Sequence, residues 1–350
     1  MTKKKNLRSL KKEELKKLLT NWKEPGFRAN QIYDWLWAKG VSSIDEMRNI
    51  PKYLSSRLKE FFFIEPIKFD SIQKSSDGTI KNAVLLRDGL LVESVLIPTS
   101  DRITACVSSQ VGCSLDCNFC ATARLKRMRN LDPDEIYDQV LAIHGQGLEN
   151  FNRPLTNVVF MGMGEPLMNY KNVLSAIEKI TQPDGLNFSP KRITLSTVGV
   201  PKMIKRLADD KVKFNLAVSL HSAINNIRSS IMPINDSAPI EELAESLVYW
   251  YRLTRRKITF EYVIWKEIND KIEDVEALVK LCKQVPSKVN LIEYNFIGDK
   301  RFKRAENESI DLYRRKLKEN GISAHIRKSR GEDIDAACGQ LANKTGVSLN

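Results

Sequence analysis

Histidine is nearly absent from this chain. Only His144, His221 and His325 occur in 350 residues, and none lies within a few positions of the cysteine-dense segment, which argues against a Cys/His zinc finger. No apolar run approaches the roughly 18 residues that a membrane-spanning helix needs. The basic start, with Lys3, Lys4, Lys5 and Arg8, has no apolar stretch behind it, so no secretory signal is expected. These absences predict a cytoplasmic protein that does not engage a membrane. Internal repeats and low-complexity tracts are missing too. Acidic residues are in deficit, 43 against 56 Lys plus Arg, and the resulting net charge of +13 predicts a polyanionic partner, RNA or DNA. A composition of 42% hydrophobic and 28% charged residues excludes wholesale disorder. At roughly 150 residues per domain, the length admits two domains, or one large domain with an appendage.

Residues 1–64 read as a basic, helical accessory domain that contacts RNA. Leu10, Leu15, Leu18 and Leu19 fall near one helical face with Lys11, Lys12, Lys16 and Lys17 around them. Pro25-Gly26 breaks that helix, and a second is predicted over Gln31 to Lys39. Residues 65–102 read as a β-hairpin extension. Ala83 to Leu86 and Leu91 to Ile97 flank Asp88-Gly89, a pair typical of a type I′ turn. Glu93 is a carboxylate inside an apolar strand, and simple alternation points it to solvent.

From residue 103 to 350 strands and helices alternate. Apolar, β-branched runs occur at Ile103–Val107, Asn157–Met161, Arg192–Thr197, Phe214–Leu220, Ile258–Ile264, Val289–Phe296 and Ile322–Ile326. Helical patterns lie between them, one starting at Asp132-Pro133 and others over 170–181, 201–209, 239–254, 271–284 and 306–320. This order predicts an α/β fold of parallel strands with helical crossovers, either a barrel or a doubly wound sheet.

The six cysteines are unevenly placed. Cys113, Cys117 and Cys120 form a C-x3-C-x2-C run directly after a strand, Cys106 lies on that strand, and Cys282 and Cys338 stand apart. In a reducing compartment such a cluster binds metal or does redox work. Three thiolates on one loop suit three irons of a [4Fe-4S] cube and leave the fourth iron open. Structural zinc would want a fourth ligand, and Cys106 is the candidate, although it lies on the strand rather than on the loop. Cys282 shares a helical face with Ile272, Val275 and Val279 and reads as core. Met161-Gly162-Met163-Gly164-Glu165-Pro166 follows the next strand. Its glycines would admit a ligand to the backbone, and Glu165 would accept hydrogen bonds from an ammonium group. Ser196, Thr197 and Ser219 end later strands, as caps or as ligands for a ribose or carboxylate.

The cluster loop and Gly162 to Pro166 resemble the radical S-adenosylmethionine (SAM) enzymes. Adding Cys106 to Cys113, Leu195 to Gly199, Ser219-Leu220-His221, Met232 to Asn235 and Asp333 to Leu341, nearly the whole chain resembles the RlmN family of dual-specificity RNA methyltransferases. The resemblance implies a partial (β/α)6 radical SAM barrel with an N-terminal helical accessory domain. It implies methylation of carbon 2 of an adenine in 23S rRNA and in certain tRNAs, with one [4Fe-4S] cluster, SAM, and a low-potential donor such as flavodoxin. A monomer is expected. The neighbouring Cfr group, which modifies carbon 8, is the alternative; Pro166 favours RlmN. A non-enzymatic RNA-binding protein with structural zinc is the alternative from another class.

Carbon 2 of adenine is electron-poor and its hydrogen is not acidic, so ordinary displacement on SAM cannot methylate it, whereas a carbon radical can add to it. The resemblance assigns Cys113, Cys117 and Cys120 to the cluster and two SAM molecules to each turnover. The first methylates Cys338, a thiolate nucleophile. The second yields a 5′-deoxyadenosyl radical that activates the S-methyl group for addition to the base. Glu93 then accepts the ring proton, and Cys106 attacks the Cys338 sulfur through a transient disulfide. Gly164, Glu165, Ser196, Ser219, Leu220, His221 and Asn295 are implied to bind SAM; without the resemblance His221 reads as a strand-end hydrogen bonder. Three basic clusters are expected to grip phosphates: Arg124, Lys126, Arg127 and Arg129; Arg301, Lys303 and Arg304; and Arg327, Lys328 and Arg330.

Overall fold

The computed structural model describes residues 4–343, so Lys3 and the outermost residues of the first and last expected domains lie outside the described residues. The β-branched runs assemble one sheet of ten strands. Seven are parallel neighbours in chain order: Ile103–Cys106, Asn157–Phe160, Ile193–Thr197, Asn215–Ser219, Ile258–Val263, Ser287–Ile292 and Ala324–Arg327. Each connection carries a helix, namely Pro133–Phe151, Tyr170–Thr181, Pro201–Asp209, Ile240–Thr254, Ile272–Gln284 and Asn307–Glu319. These are six βα units closed by a seventh strand. The first helix starts where expected, because Asp132 and Glu135 form a capping box ahead of Pro133.

The sheet curls into a partial barrel. In a flat sheet five strand spacings, about 24 Å, would separate the last strand from the second parallel one. Instead the Arg327 guanidinium, at the end of the last strand, donates to the Met161 sulfur at 3.5 Å.

The ribbon before the barrel differs from a simple hairpin. It has three antiparallel strands, Lys68–Lys74, Ile80–Leu85 and Leu91–Pro98, and the last pairs antiparallel with Ile103–Cys106, so the ribbon continues the barrel wall. Lys68–Lys74 escaped the sequence reading because it alternates half-buried and exposed residues without an apolar run. The turn is not type I′. Gly89 has φ +80° while Asp88 does not enter the positive region, and the Gly89 N–H donates to the Leu86 carbonyl. This is a type I turn closed by a left-handed glycine.

The N-terminal helices are Lys12–Asn21, Phe27–Trp37 and Lys52–Phe61; the second starts straight after Pro25-Gly26, earlier than its predicted start at Gln31. They share one continuous hydrophobic core with the barrel. Arg8 forms a buried ion pair with Asp138 of the first barrel helix at 2.6 Å, and Trp37 packs edge-on against Tyr137. Burial pushes the Asp138 carboxyl up to about 6, against the pull of the Arg8 charge.

Candidate active site

Every implied functional residue of the barrel lies at or beyond the C-terminal ends of the parallel strands. Ser196 is the penultimate residue of Ile193–Thr197, Ser219 ends Asn215–Ser219, Leu220 and His221 follow it, Glu165 follows Asn157–Phe160, and Asn295 follows Ser287–Ile292. Parallel strands present these ends together, so one mouth collects groups as far apart in sequence as Glu165 and Asn295.

Cys113, Cys117 and Cys120 lie on one loop above this mouth, packed among Leu115, Ile231, Met232, Val263 and Trp265. Burial raises all three thiols, Cys113 to about 11; the Cys120 charge adds to the rise at Cys113 and Cys117, and the Cys338 charge to that at Cys120. They sense one another, yet among the described residues no three His, Cys, Asp or Glu side chains are grouped to hold a single metal ion. Three separated thiols in an apolar shell fit a multi-iron cluster, whose iron charge would favour the thiolate forms.

Glu165 is 3% exposed. Its carboxylate accepts the Leu167 and Val198 N–H groups, both at 2.9 Å, and burial still pushes its pKa up to about 7. A cationic ligand would offset that cost. The neighbouring glycines have a packing reason of their own. A Cβ at Gly164 would sit 2.4 Å from Gln110 Cβ, and one at Gly162 would sit 2.6 Å from Ser108 Oγ. Internal packing against residues 107–110 requires them, whatever a ligand needs.

His221 is buried with φ +58°. Its Nδ1 accepts the Val263 N–H at 3.1 Å, which leaves the proton of the neutral ring on Nε2. Burial, followed by the Arg228 charge, pushes its pKa down to about 3. Asn295 is 3% exposed; its amide donates to the Cys338 carbonyl at 3.2 Å, and its Oδ1 has no partner. A buried acceptor without a donor is costly unless a ligand satisfies it.

Cys338 lies on an exposed loop that is fastened on several sides. The Ala121 N–H donates to the Gly339 carbonyl at 2.7 Å and the Thr122 hydroxyl to the Leu341 carbonyl at 2.6 Å, tying it to the cluster loop. The Ala342 N–H donates to the Glu93 carboxylate at 2.8 Å, tying it to the ribbon. The Cys338 charge acts on both Cys106 and Cys120, so the loop runs between the cluster and the first barrel strand. All six cysteines are free, so the implied Cys106–Cys338 disulfide is not formed in this structure. Burial pushes the Cys106 thiol up to about 12, which suits a reduced resting pair.

Alternation misplaces Glu93. It is 1% exposed and pairs with buried Lys81 at 3.5 Å. The expectation fails because this strand is covered on both sides: Asn82 of the neighbouring strand bonds Gln146 of the first barrel helix, while Lys81 and Glu93 on the other face meet residues 335 and 342. Cys106 shares the inner face, opposite Val95.

Several expected phosphate contacts are engaged internally. Arg129 pairs with Glu135 at 2.8 Å, Arg124 donates to the Ile297 carbonyl, Arg301 pairs with Asp299, and Arg304 with Glu332. Half-buried Arg327 is engaged across the barrel, by the Met161 sulfur and Glu261. Lys126, Arg127, Lys303 and Lys328 stay exposed. Cys282 is core, as read from its helical spacing.

Sequence reasoning missed Lys81, Arg228 and Glu261. Fully buried Arg228 donates to the Val198, Leu220 and Asn235 oxygens and so joins the loops after two strands. No local pattern marks Arg228. Lys81 had a signal, a lone cation on the apolar strand beside Glu93.

Two family models match the chain. The Ribosomal RNA large subunit methyltransferase N-terminal domain matches residues 5–64, and the Radical SAM superfamily matches residues 107–282. A protein of Flavobacterium psychrophilum named dual-specificity RNA methyltransferase RlmN is 63% identical, over 97% of this chain and 98% of its own. The chain belongs to the RlmN family. A relative of the same name from Christiangramia forsetii is 61% identical over 98% of this chain and 97% of its own. The crystal structure of a radical SAM methyltransferase from Sphaerobacter thermophilus superposes with a TM-score of 0.90 at 38% identity, covering 96% of this chain and 98% of that one. The radical SAM superfamily uses a [4Fe-4S] cluster and SAM, and the three-thiol loop and the unmet Asn295 acceptor fit those two groups. RlmN membership sets aside the zinc-protein reading. Among the described residues, no helix is long and apolar enough to cross a membrane.

Proposed function

We propose that this enzyme methylates carbon 2 of adenine in 23S rRNA and in tRNA, in the cytoplasm, through a methylated Cys338. The observation that carries the reading is the fastening of the Cys338 loop, by the cluster loop on one side and by Glu93 on the other. One residue can then exchange methyl groups with SAM and meet the base beside a proton acceptor. RlmN relatives at 60% identity and above favour carbon 2 over the Cfr alternative.

Cys113, Cys117 and Cys120 would hold the cluster, which would supply the low-potential electron for cleavage of SAM. The chain's own residues do the rest. Glu165 and the residues at the strand ends hold SAM at the mouth. Cys338 takes a methyl group on sulfur and presents it to the base. Glu93, kept buried and paired by Lys81, accepts the ring proton once the base is joined to Cys338. Cys106 releases the product by attacking the Cys338 sulfur. The exposed lysines and Arg127 grip phosphates, and the target base leaves its stack to reach the mouth. The reductant is a low-potential protein such as flavodoxin, and the enzyme acts as a monomer.

The test is nucleoside mass spectrometry of rRNA and tRNA from a strain lacking the gene. Loss of 2-methyladenosine from both RNAs is expected, with restoration by the wild-type gene and not by Cys338→Ala. Unchanged 2-methyladenosine, or loss of an 8-methyl product instead, would sink the assignment.

A further inference from the structure

Cys106 poses a problem. Burial pushes its thiol up to about 12, yet its proposed role requires a thiolate. Two groups oppose the burial. The Arg327 guanidinium acts through its charge, and the Met161 N–H bonds the sulfur. The geometry links them. Met161 follows the strand that pairs with Cys106, where Cys106 stands opposite Val159, and Arg327 from the far end of the sheet closes on the Met161 sulfur at 3.5 Å. On its other side Arg327 approaches Glu261 at 3.7 Å. Glu261 is 4% exposed; its Oε1 accepts the Asn290 amide at 2.9 Å, while its Oε2 has no hydrogen-bond partner and faces the guanidinium. A buried carboxylate placed this way orients a cation.

We propose that Arg327, oriented by Glu261 and seated on Met161, is the positioning residue for the resolving thiolate of Cys106. The inference rests on the two-cysteine reading above. Starting from the closed-shell thioether that joins Cys338 to the adenine, the Cys106 thiolate gives its electron pair to the Cys338 sulfur. The S–S bond forms as the S–C bond breaks. That bond's electron pair leaves with the methylene carbon, which takes a proton and becomes the methyl group. The two sulfurs together lose the two electrons that the carbon gains and end as a disulfide, and an external dithiol reduces it to restore the cysteines. The charged groups around Cys106 are Cys338 on its loop, Arg327 and Glu261 across the barrel, and the Glu93–Lys81 pair on the ribbon face. Arg327 is held in its charged form by Cys338 first, then Glu261 and Cys106.

The experiment compares wild type, Arg327→Gln, Arg327→Lys and Cys106→Ala as anaerobically purified holoenzymes with an RNA substrate. Readouts are S-methylation of Cys338 and a ribonuclease-sensitive shifted band on a denaturing gel. Arg327→Gln should keep Cys338 methylation and accumulate the protein–RNA adduct by roughly tenfold at neutral pH, the effect of one pKa unit, with release as pH rises. Arg327→Lys should restore turnover. Normal turnover of Arg327→Gln, an adduct that ignores pH, or loss of Cys338 methylation would each overturn the proposal. Should Arg327→Gln fail to fold, Glu261→Gln keeps the cation but loosens it, and must give a smaller adduct with the same pH release. An adduct absent from Cys106→Ala would instead overturn the two-cysteine reading.

Discussion

Lys81→Met should be among the most destabilising single changes in the ribbon. Among the described residues Lys81 is the one cation within ion-pair distance of Glu93, and the two side chains are 6% and 2% exposed. Removing the cation leaves a buried carboxylate supported by the Ala342 N–H at 2.8 Å. Breaking a buried pair in this way costs about 3–5 kcal/mol. Unfolding entropy near 2 cal/mol/K per residue gives about 0.7 kcal/mol/K for this length, so the midpoint should fall by about 4–7 °C. Replacing both partners, Lys81→Met with Glu93→Leu, removes the stranded charge and should recover most of the loss. The assay is anaerobic scanning calorimetry of the four proteins, analysed as a double-mutant cycle. The reasoning is refuted if Lys81→Met unfolds within about 1 °C of wild type, or if the double variant is as unstable as Lys81→Met. Glu93→Gln separates packing from chemistry. It can still accept hydrogen bonds from the Ala342 N–H and from Lys81, at some cost in stability for the uncompensated cation, so it should form 5′-deoxyadenosine yet release little methylated RNA.

Glu165 predicts a pH dependence. Its folded pKa, about 7, lies above the ordinary 4.5, so without a cationic ligand the folded state loses stability as pH rises through that window. The loss is about 3 kcal/mol at one pKa unit per ~1.4 kcal/mol; urea midpoints of the SAM-free protein should show it, and Glu165→Gln should flatten it. Gly164→Ala combines φ +91° with a Cβ 2.4 Å from Gln110 Cβ, so it should cost about 2 kcal/mol or more and lower SAM affinity; wild-type stability would show that the loop shifts freely. Cys282→Ser should keep full methylation and cost about 1 kcal/mol by calorimetry; inactivity in a folded variant would contradict its place in the core.

The barrel's elements were legible in the sequence because parallel strands buried on both faces must be apolar runs, and their crossover helices must be amphipathic. Tyr170–Thr181 and Pro201–Asp209 match their predicted spans, and the others agree within a residue or two at most ends. The C-x3-C-x2-C run is local chemistry, so the cluster loop was readable before any fold was known. The curl of the sheet was not, because it is set by twist and packing summed over ten strands. That curl decides what charge means at each position. Arg327 reads as one more phosphate-binding arginine, and the barrel turns it inward onto Met161 and Glu261. Glu93 reads as a solvent-facing residue, and the return of the chain at Ala342 buries it. The sequence by itself determined the barrel's elements, the thiolate loop and the family. Only the tertiary structure decided which charges face one another, because a buried charge takes its partner from distant chain, as Arg327 finds Glu261 and Arg8 finds Asp138.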